Sequence, residues 1–201
     1  MSLSRNKNST KGFTLIEMMV ALSLFTIVVT IAVGAFLSLI GSSKGVQSEQ
    51  SVMATLTFVL DSMSREIRTG TEYHCSNTNF INQESIIKGK NCLAAEKGGI
   101  SFIEAGSSLS TSISEKRIAY YYDSATQSIF RRIGNADPAE SIVSKGIKIT
   151  NAEFFVTGTE RFSENDTDTI QPTVTIILEA EDELGATTVL QTTVTQRELD
   201  I

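Results

Sequence analysis

A long apolar segment near the N-terminus limits what this chain can fold into. Residues 18–40 are almost entirely apolar, and Glu17 is the only charged residue between positions 13 and 43. About 20 apolar residues are enough for a helix to cross a bilayer. A charged carboxylate in such a segment costs ~2.5–3.5 kcal/mol on insertion scales. The segment therefore predicts a helix in an apolar environment, and Glu17 is a candidate functional residue within it.

A short basic leader precedes the segment and ends at Gly12. It contains no acid and three basic residues, Arg5, Lys7 and Lys11. Basic residues on one flank of a membrane span stay in the cytoplasm, which predicts that the rest of the chain lies outside. An ordinary secretory signal has ~7–15 apolar residues and then a small-residue cleavage site. A simple membrane anchor would fit the length, but it would not explain Glu17 or the Lys-Gly-Phe junction.

The sequence Lys-Gly-Phe-Thr-Leu-Ile-Glu at residues 11–17 resembles the processing site of type IV prepilins and type II secretion pseudopilins. The resemblance implies that a dedicated peptidase cuts after Gly12 and that the new terminus, Phe13, is N-methylated. Cleavage would change the formal charge from −6 to −9. The resemblance also implies an assembly role for Glu17. Its carboxylate would neutralise the amine of Phe13 in its own chain or in a neighbouring subunit, and the second possibility would fix the stagger between subunits.

The helix is predicted to continue beyond the apolar segment. Apolar residues recur at spacings of three and four, which places them on one helical face, at Val52, Leu56, Val59, Met63 and Ile67. The sequence Thr69-Gly70-Thr71 provides the stop. We therefore expect one helix from about Phe13 to Arg68, with an amphipathic second part.

The residues after Gly70 are typical of strands and turns. Threonine and β-branched residues are dense there, and the predicted strand regions are 100–103, 117–122, 128–133, 147–156, 173–180 and 187–196. Polar loops at 123–127 and 181–186 indicate two hairpins. The predicted fold class is α+β, with a long N-terminal helix whose outer half packs on an antiparallel sheet. The resemblance implies the same pilin-like layout.

Cys75 and Cys92 are the only cysteines, and both lie beyond the apolar segment. In an exported domain they are expected to form a disulfide, which would stabilise the irregular region after the helix by ~3 kcal/mol. Two free thiols are the alternative. A zinc site is less favoured, because His74 is the only histidine and no CxxC pair is present.

Other constellations carry little functional signal. The acidic run Glu164–Asp168 offers oxygen ligands for Ca²⁺ but lacks the spacing of an EF-hand loop, so a solvated loop is favoured. Tyr120–Tyr122 could be a stacking platform, although strand packing with alternating burial is the favoured interpretation. No nucleophile motif is visible, and we predict no enzyme, no cofactor, no metal and no specific nucleic-acid binding.

The predicted organisation is a cytoplasmic leader (1–12), a transmembrane or filament-core helix (13–40), an amphipathic continuation (41–70) and an extracytoplasmic β-rich domain (71–201). The predicted function is a structural, minor subunit of a type IV pilus or type II secretion pseudopilus in the bacterial inner membrane. A minor subunit is favoured because Gly34 stands where many major pilins have a proline, and because the C-terminal domain is richer in predicted strands than a small major pilin needs. The nearest type is a J-like minor pseudopilin or a related minor pilin. The expected partners are other pilin or pseudopilin subunits, the peptidase and N-methyltransferase, the inner-membrane assembly platform and lipid. The alternative function is a membrane-anchored binding or sensor domain.

Overall fold

The computed structural model describes residues 12–81, 86, 89–92, 96–104, 117–134, 138–159 and 170–197. Within these residues one helix, α1 (Leu15–Thr69), is followed by eight strands. By internal contacts the chain divides into two compact units, Met1–Lys44 and Gly45–Ile201. The leader residues 1–11 and the acidic run Glu164–Asp168 lie outside the described residues.

The second part of α1 forms the centre of the core of the second unit. All five residues of the predicted apolar face are completely buried, which confirms the amphipathic pattern: Val52, Leu56, Val59, Met63 and Ile67. The helix ends where the sequence predicts, because the Gly70 N–H donates to the Ile67 carbonyl at 3.0 Å in a tight last turn. Further back, residues 41–45 are helical but exposed.

A five-stranded antiparallel sheet lies on one part of this helix, in the order β1-β2-β3-β4-β5. Its strands are β1 (Thr71–Ser76), β2 (Gly99–Ile103), β3 (Arg117–Asp123), β4 (Ser128–Ile133) and β5 (Glu140–Ser141). The β3–β4 hairpin was predicted, but β1 and β5 were not.

A second antiparallel sheet has three strands in the order β6-β7-β8. They are β6 (Ile147–Thr157), β7 (Thr173–Asp182) and β8 (Thr187–Thr195). Burial in β7 alternates strictly, with Val174, Ile176 and Leu178 facing the core as predicted. The helix therefore packs against two sheets, whereas the sequence suggested one.

The alternation predicted for the tyrosines of β3 is wrong. Tyr120 is completely buried and Tyr121 is only 9% exposed, although adjacent strand residues point to opposite faces. The reason is that both faces of the first sheet are covered. Tyr120 faces the main core, whereas Tyr121 stacks on Phe130 and joins a second small cluster with Phe80. These rings are packing residues.

Candidate functional site

The N-terminus of α1 is built around Thr14. Residues 12–14 precede the helix, and the first helical bond joins the Met18 N–H to the Thr14 carbonyl at 3.2 Å. The Thr14 hydroxyl oxygen accepts a hydrogen bond from the Glu17 N–H at 3.3 Å. This is the bond of an N-cap to the third helical residue. The spacing Thr-x-x-Glu is a capping-box signature, a signal for this cap that is visible in the sequence but did not enter the predictions made from it.

The structure brings the three predicted site residues together at this helix end. Gly12 and Phe13 stand just outside the helix, and Glu17 lies in its first turn. A helix N-terminus carries a partial positive charge, so a carboxylate in the first turn is stabilising. An amine on Phe13 would add positive charge at the same end. Glu17 is therefore placed to offset the partial charge of the helix end.

The segment that follows exposes its apolar side chains. None of the most apolar window of α1 is buried inside the protein, and within the described residues α1 is the helix that is long and apolar enough to cross a membrane. Large side chains such as Phe25 (64% exposed) and Leu39 (67% exposed) are not covered by other described residues. This surface must be covered by lipid or by other protein.

Glu66 anchors the second part of α1 to the five-stranded sheet. Its carboxylate accepts a hydrogen bond from the Tyr120 hydroxyl at 2.7 Å and from Arg131 Nε at 3.1 Å. Arg131 Nη2 lies 3.0 Å from the other carboxylate oxygen, so the pair is bidentate. Burial and the hydrogen bond to Glu66 raise the pKa of Tyr120, which keeps the phenol protonated.

Two contacts tie α1 to the ends of the three-stranded sheet. The buried Ser48 hydroxyl donates to the carboxylate of Asp182, at the end of β7. This hydrogen bond and the backbone N–H groups of the following turn lower the pKa of Asp182. At the other end of the helix, the Arg197 N–H donates to the Arg68 carbonyl at 2.8 Å. The chain beyond β8 thus satisfies a carbonyl of the last helical turn.

The disulfide joins Cys75 of β1 to Cys92, with the Cα atoms 5.0 Å apart. Cys75 is completely buried, and the Cys92 N–H donates to the Val156 carbonyl of β6 at 3.2 Å. The bridge therefore fastens the segment 89–92 between the two sheets. The predicted pairing is present in the structure.

Arg117 was not singled out from the sequence, yet it is fully buried. Its Nη2 donates to the Glu72 carbonyl at 2.6 Å, and its Nε donates to the Ser101 hydroxyl at 3.3 Å. Burial lowers the pKa of Arg117 to about 10, although the nearby Glu72 carboxylate acts in the opposite direction. The guanidinium fixes the turn between α1 and β1.

Within the part of the chain that the structure describes, no group of three or more acidic, histidine or cysteine side chains is arranged to hold a metal.

Comparison with known proteins identifies the N-terminal region alone. Residues 7–40 match the family model of the prokaryotic N-terminal methylation motif, the type IV prepilin-like signal. The match spans Gly12, Phe13 and Glu17. No curated protein and no solved structure matched the chain.

Proposed function

Because the chain carries a type IV prepilin-like signal, we propose that it is a minor structural subunit of a type IV pilus or a type II secretion pseudopilus. The observation that carries this proposal is the match at residues 7–40, on a helix whose first part leaves its apolar side chains uncovered. A subunit of this kind is inserted in the inner membrane and then packed through that surface into a filament. It acts by assembly, without a catalytic site.

The peptidase cuts after Gly12, and Phe13 becomes the methylated N-terminus. Both residues lie outside α1, so the peptide bond between them is free of helical hydrogen bonds. A Cβ atom added to Gly12 would meet nothing within 4 Å. A requirement for glycine at this position therefore comes from the peptidase, since the chain itself imposes none.

Glu17 pairs with the amine of Phe13 on a neighbouring subunit during assembly. A charge pair enclosed by apolar helices is stable only when both members meet, because an unpaired buried charge costs several kcal/mol. The pair therefore selects one stagger between adjacent helices. In a membrane-inserted chain that is not yet assembled, the same carboxylate offsets the amine of its own chain.

Four features support a minor, J-like subunit in the inner membrane with its second unit outside. Gly34 replaces the proline that many major pilins have in this segment, and eight strands follow the helix among the described residues. The basic leader favours a cytoplasmic N-terminus. The Cys75–Cys92 disulfide supports an oxidising compartment for the second unit.

Replacing Gly12 by leucine tests the processing step. The full chain is expressed in a host that contains the peptidase, and the mass of the membrane form is measured. The wild type is expected to lose residues 1–12 and gain one methyl group, whereas Gly12→Leu stays uncut. Gly41→Leu is the matched control, because a Cβ at Gly41 also meets nothing within 4 Å. An intact Met1 terminus on the wild type would refute the proposal and favour an anchored binding or sensor domain.

Replacing Glu17 by leucine tests the assembly step. Insertion and cleavage are expected to stay normal, because the segment becomes more apolar. Recovery in sheared filaments, relative to the membrane pool, should fall more than tenfold, since losing one member of a buried pair costs ~3–5 kcal/mol. Ser23→Leu is the control for added apolar surface, because the Ser23 side chain is exposed and bonds only within the helix. Normal recovery of Glu17→Leu would show that the carboxylate does not set the stagger.

A further inference from the structure

Strand β8 is a long, unguarded edge of the three-stranded sheet. Among the described residues it pairs with β7 alone, over nine residues and without a bulge. Natural edge strands are usually protected by charged side chains, proline, bulges or short length. The sequence Thr187–Thr195 contains no charged residue and no proline.

The backbone groups that point away from β7 can be assigned. At the ends of the β7–β8 ladder, the Gln196 N–H donates to the Pro172 carbonyl and the Asp182 N–H donates to the Ala186 carbonyl. Because N–H direction alternates along a strand, the backbone N–H and C=O groups of the odd-numbered residues of β8 point away from β7. These residues are Thr187, Val189, Gln191, Thr193 and Thr195. Within the described ranges, no backbone group outside the sheet bonds to this row.

An apolar-floored groove of about 370 Å³ runs beside this edge. Leu60 of α1 and Leu190 and Val194 of β8 form its floor, and Asp61 and Arg68 lie along the helical wall. Leu190 is half-buried, whereas residues on the same face of β7 are buried. The edge strand is thus less covered by the helix than β7 is, and the groove lies where its core-facing side chains remain accessible.

A second copy's β8 does not fit this edge. The contacts Ser48–Asp182 and Arg68–Arg197 show that β8 runs in the same direction as the second part of α1. A symmetric antiparallel β8–β8 pair would therefore place the two helices in opposite directions. Subunits of one filament share a single polarity, and their contacts are heterologous.

We propose that β8 is an acceptor for an extended strand supplied by a different subunit of the same assembly. The proposal rests on the proposed filament function. Only a polypeptide backbone matches a row of alternating N–H and C=O groups. The incoming strand has apolar side chains at alternate positions, which enter the groove over Leu60 and Leu190. Adding it extends the sheet to four strands and removes the free edge.

The probe is a peptide with the sequence of β7 (residues 173–182). This sequence alternates apolar and polar residues, and within the protein it already pairs as a strand with the inner side of β8. Its labelled form is titrated against the full chain in detergent micelles. Gln191→Pro removes an outward N–H and should weaken binding roughly tenfold, within the range of one lost hydrogen bond plus the bulk of the ring. Gln191→Ala keeps the N–H and should bind within about twofold of the wild type.

A second matched pair, Val189→Pro and Val189→Ala, repeats the comparison at another outward residue in case one proline unfolds the strand. The proposal is overturned if the wild type does not bind the peptide, or if the proline and alanine variants bind equally. It is also overturned if Gln191→Cys forms a disulfide-linked dimer in oxidised membranes, because a second β8 would then be the occupant. None of these measurements requires cleavage after Gly12, so they can fail independently of the processing test.

Discussion

Removing the carboxylate of Glu66 should destabilise the second unit by about 1–4 kcal/mol. In Glu66→Ala the Tyr120 hydroxyl, on a fully buried side chain, loses its acceptor, which costs about 1–3 kcal/mol. The side chains of Arg131 and Glu66 are 25% and 31% exposed, so water screens their ion pair. Its loss adds about 0–1 kcal/mol.

The assay is thermal unfolding of the full chain in micelles, followed by near-ultraviolet circular dichroism of the buried tyrosines. For a unit of this size, 1 kcal/mol changes Tm by about 2–4 °C, so we expect Tm to fall by roughly 2–16 °C. Tyr120→Phe alone should cost about 1 kcal/mol, because Glu66 keeps Arg131 as its partner.

The double variant distinguishes the orphaned hydroxyl from a general loss of packing. Glu66→Ala combined with Tyr120→Phe leaves no unsatisfied phenol, so its cost should be at least ~1 kcal/mol smaller than the sum of the single costs. Strict additivity, or a change below ~0.5 kcal/mol in Glu66→Ala, would refute the reasoning that this carboxylate anchors the helix to the sheet.

Three further predictions concern the same unit. Replacing Cys75 and Cys92 by serine should lower the free energy of unfolding by ~3 kcal/mol, which is measured as a lower Tm. An unchanged Tm would show that the disulfide does not stabilise the unit. Gly70→Ala places a Cβ 2.4 Å from Phe102 Cδ2 and should cost about 1–3 kcal/mol in the same assay, whereas a neutral result would mean that the ring can move. The pKa of Tyr120 is raised in the folded state, so its stabilising effect is complete below the unfolded pKa of about 10 and is lost as pH rises above it. The stability difference between wild type and Tyr120→Phe should therefore shrink from pH 9 to 11, and a constant difference would contradict this.

The parts of the fold that could be predicted are those with a regular apolar period. The face Val52–Ile67 and the strand Thr173–Asp182 repeat at 3.6 and 2 residues, and both were found in place. Strand β1 has only two alternating apolar residues, Tyr73 and Cys75, which is too short a pattern to predict a strand, and its position depends on pairing with β2 and on the disulfide. Arg117 was missed because a buried guanidinium depends on carbonyl groups that come together only in the folded chain.

The candidate site was predictable for a different reason. Gly12, Phe13 and Glu17 lie within six residues of one another, so local sequence carries the whole signal. The acceptor edge could not be anticipated in that way. Its outward groups are defined by the β7–β8 register, and its groove is defined by where α1 crosses the sheet.

The exposed helical residues 41–45 have a mechanical consequence. They include Gly41, Ser42, Ser43 and Gly45, which are weak helix formers, and within the described residues all five are exposed. When the two ends of the chain are pulled apart, this stretch should unwind first. Passing from ~1.5 to ~3.5 Å per residue would lengthen it by about 10 Å while the packed second unit stays intact. Both parts of the chain would carry the same force, so this stretch would take up extension while the β-rich unit stays folded.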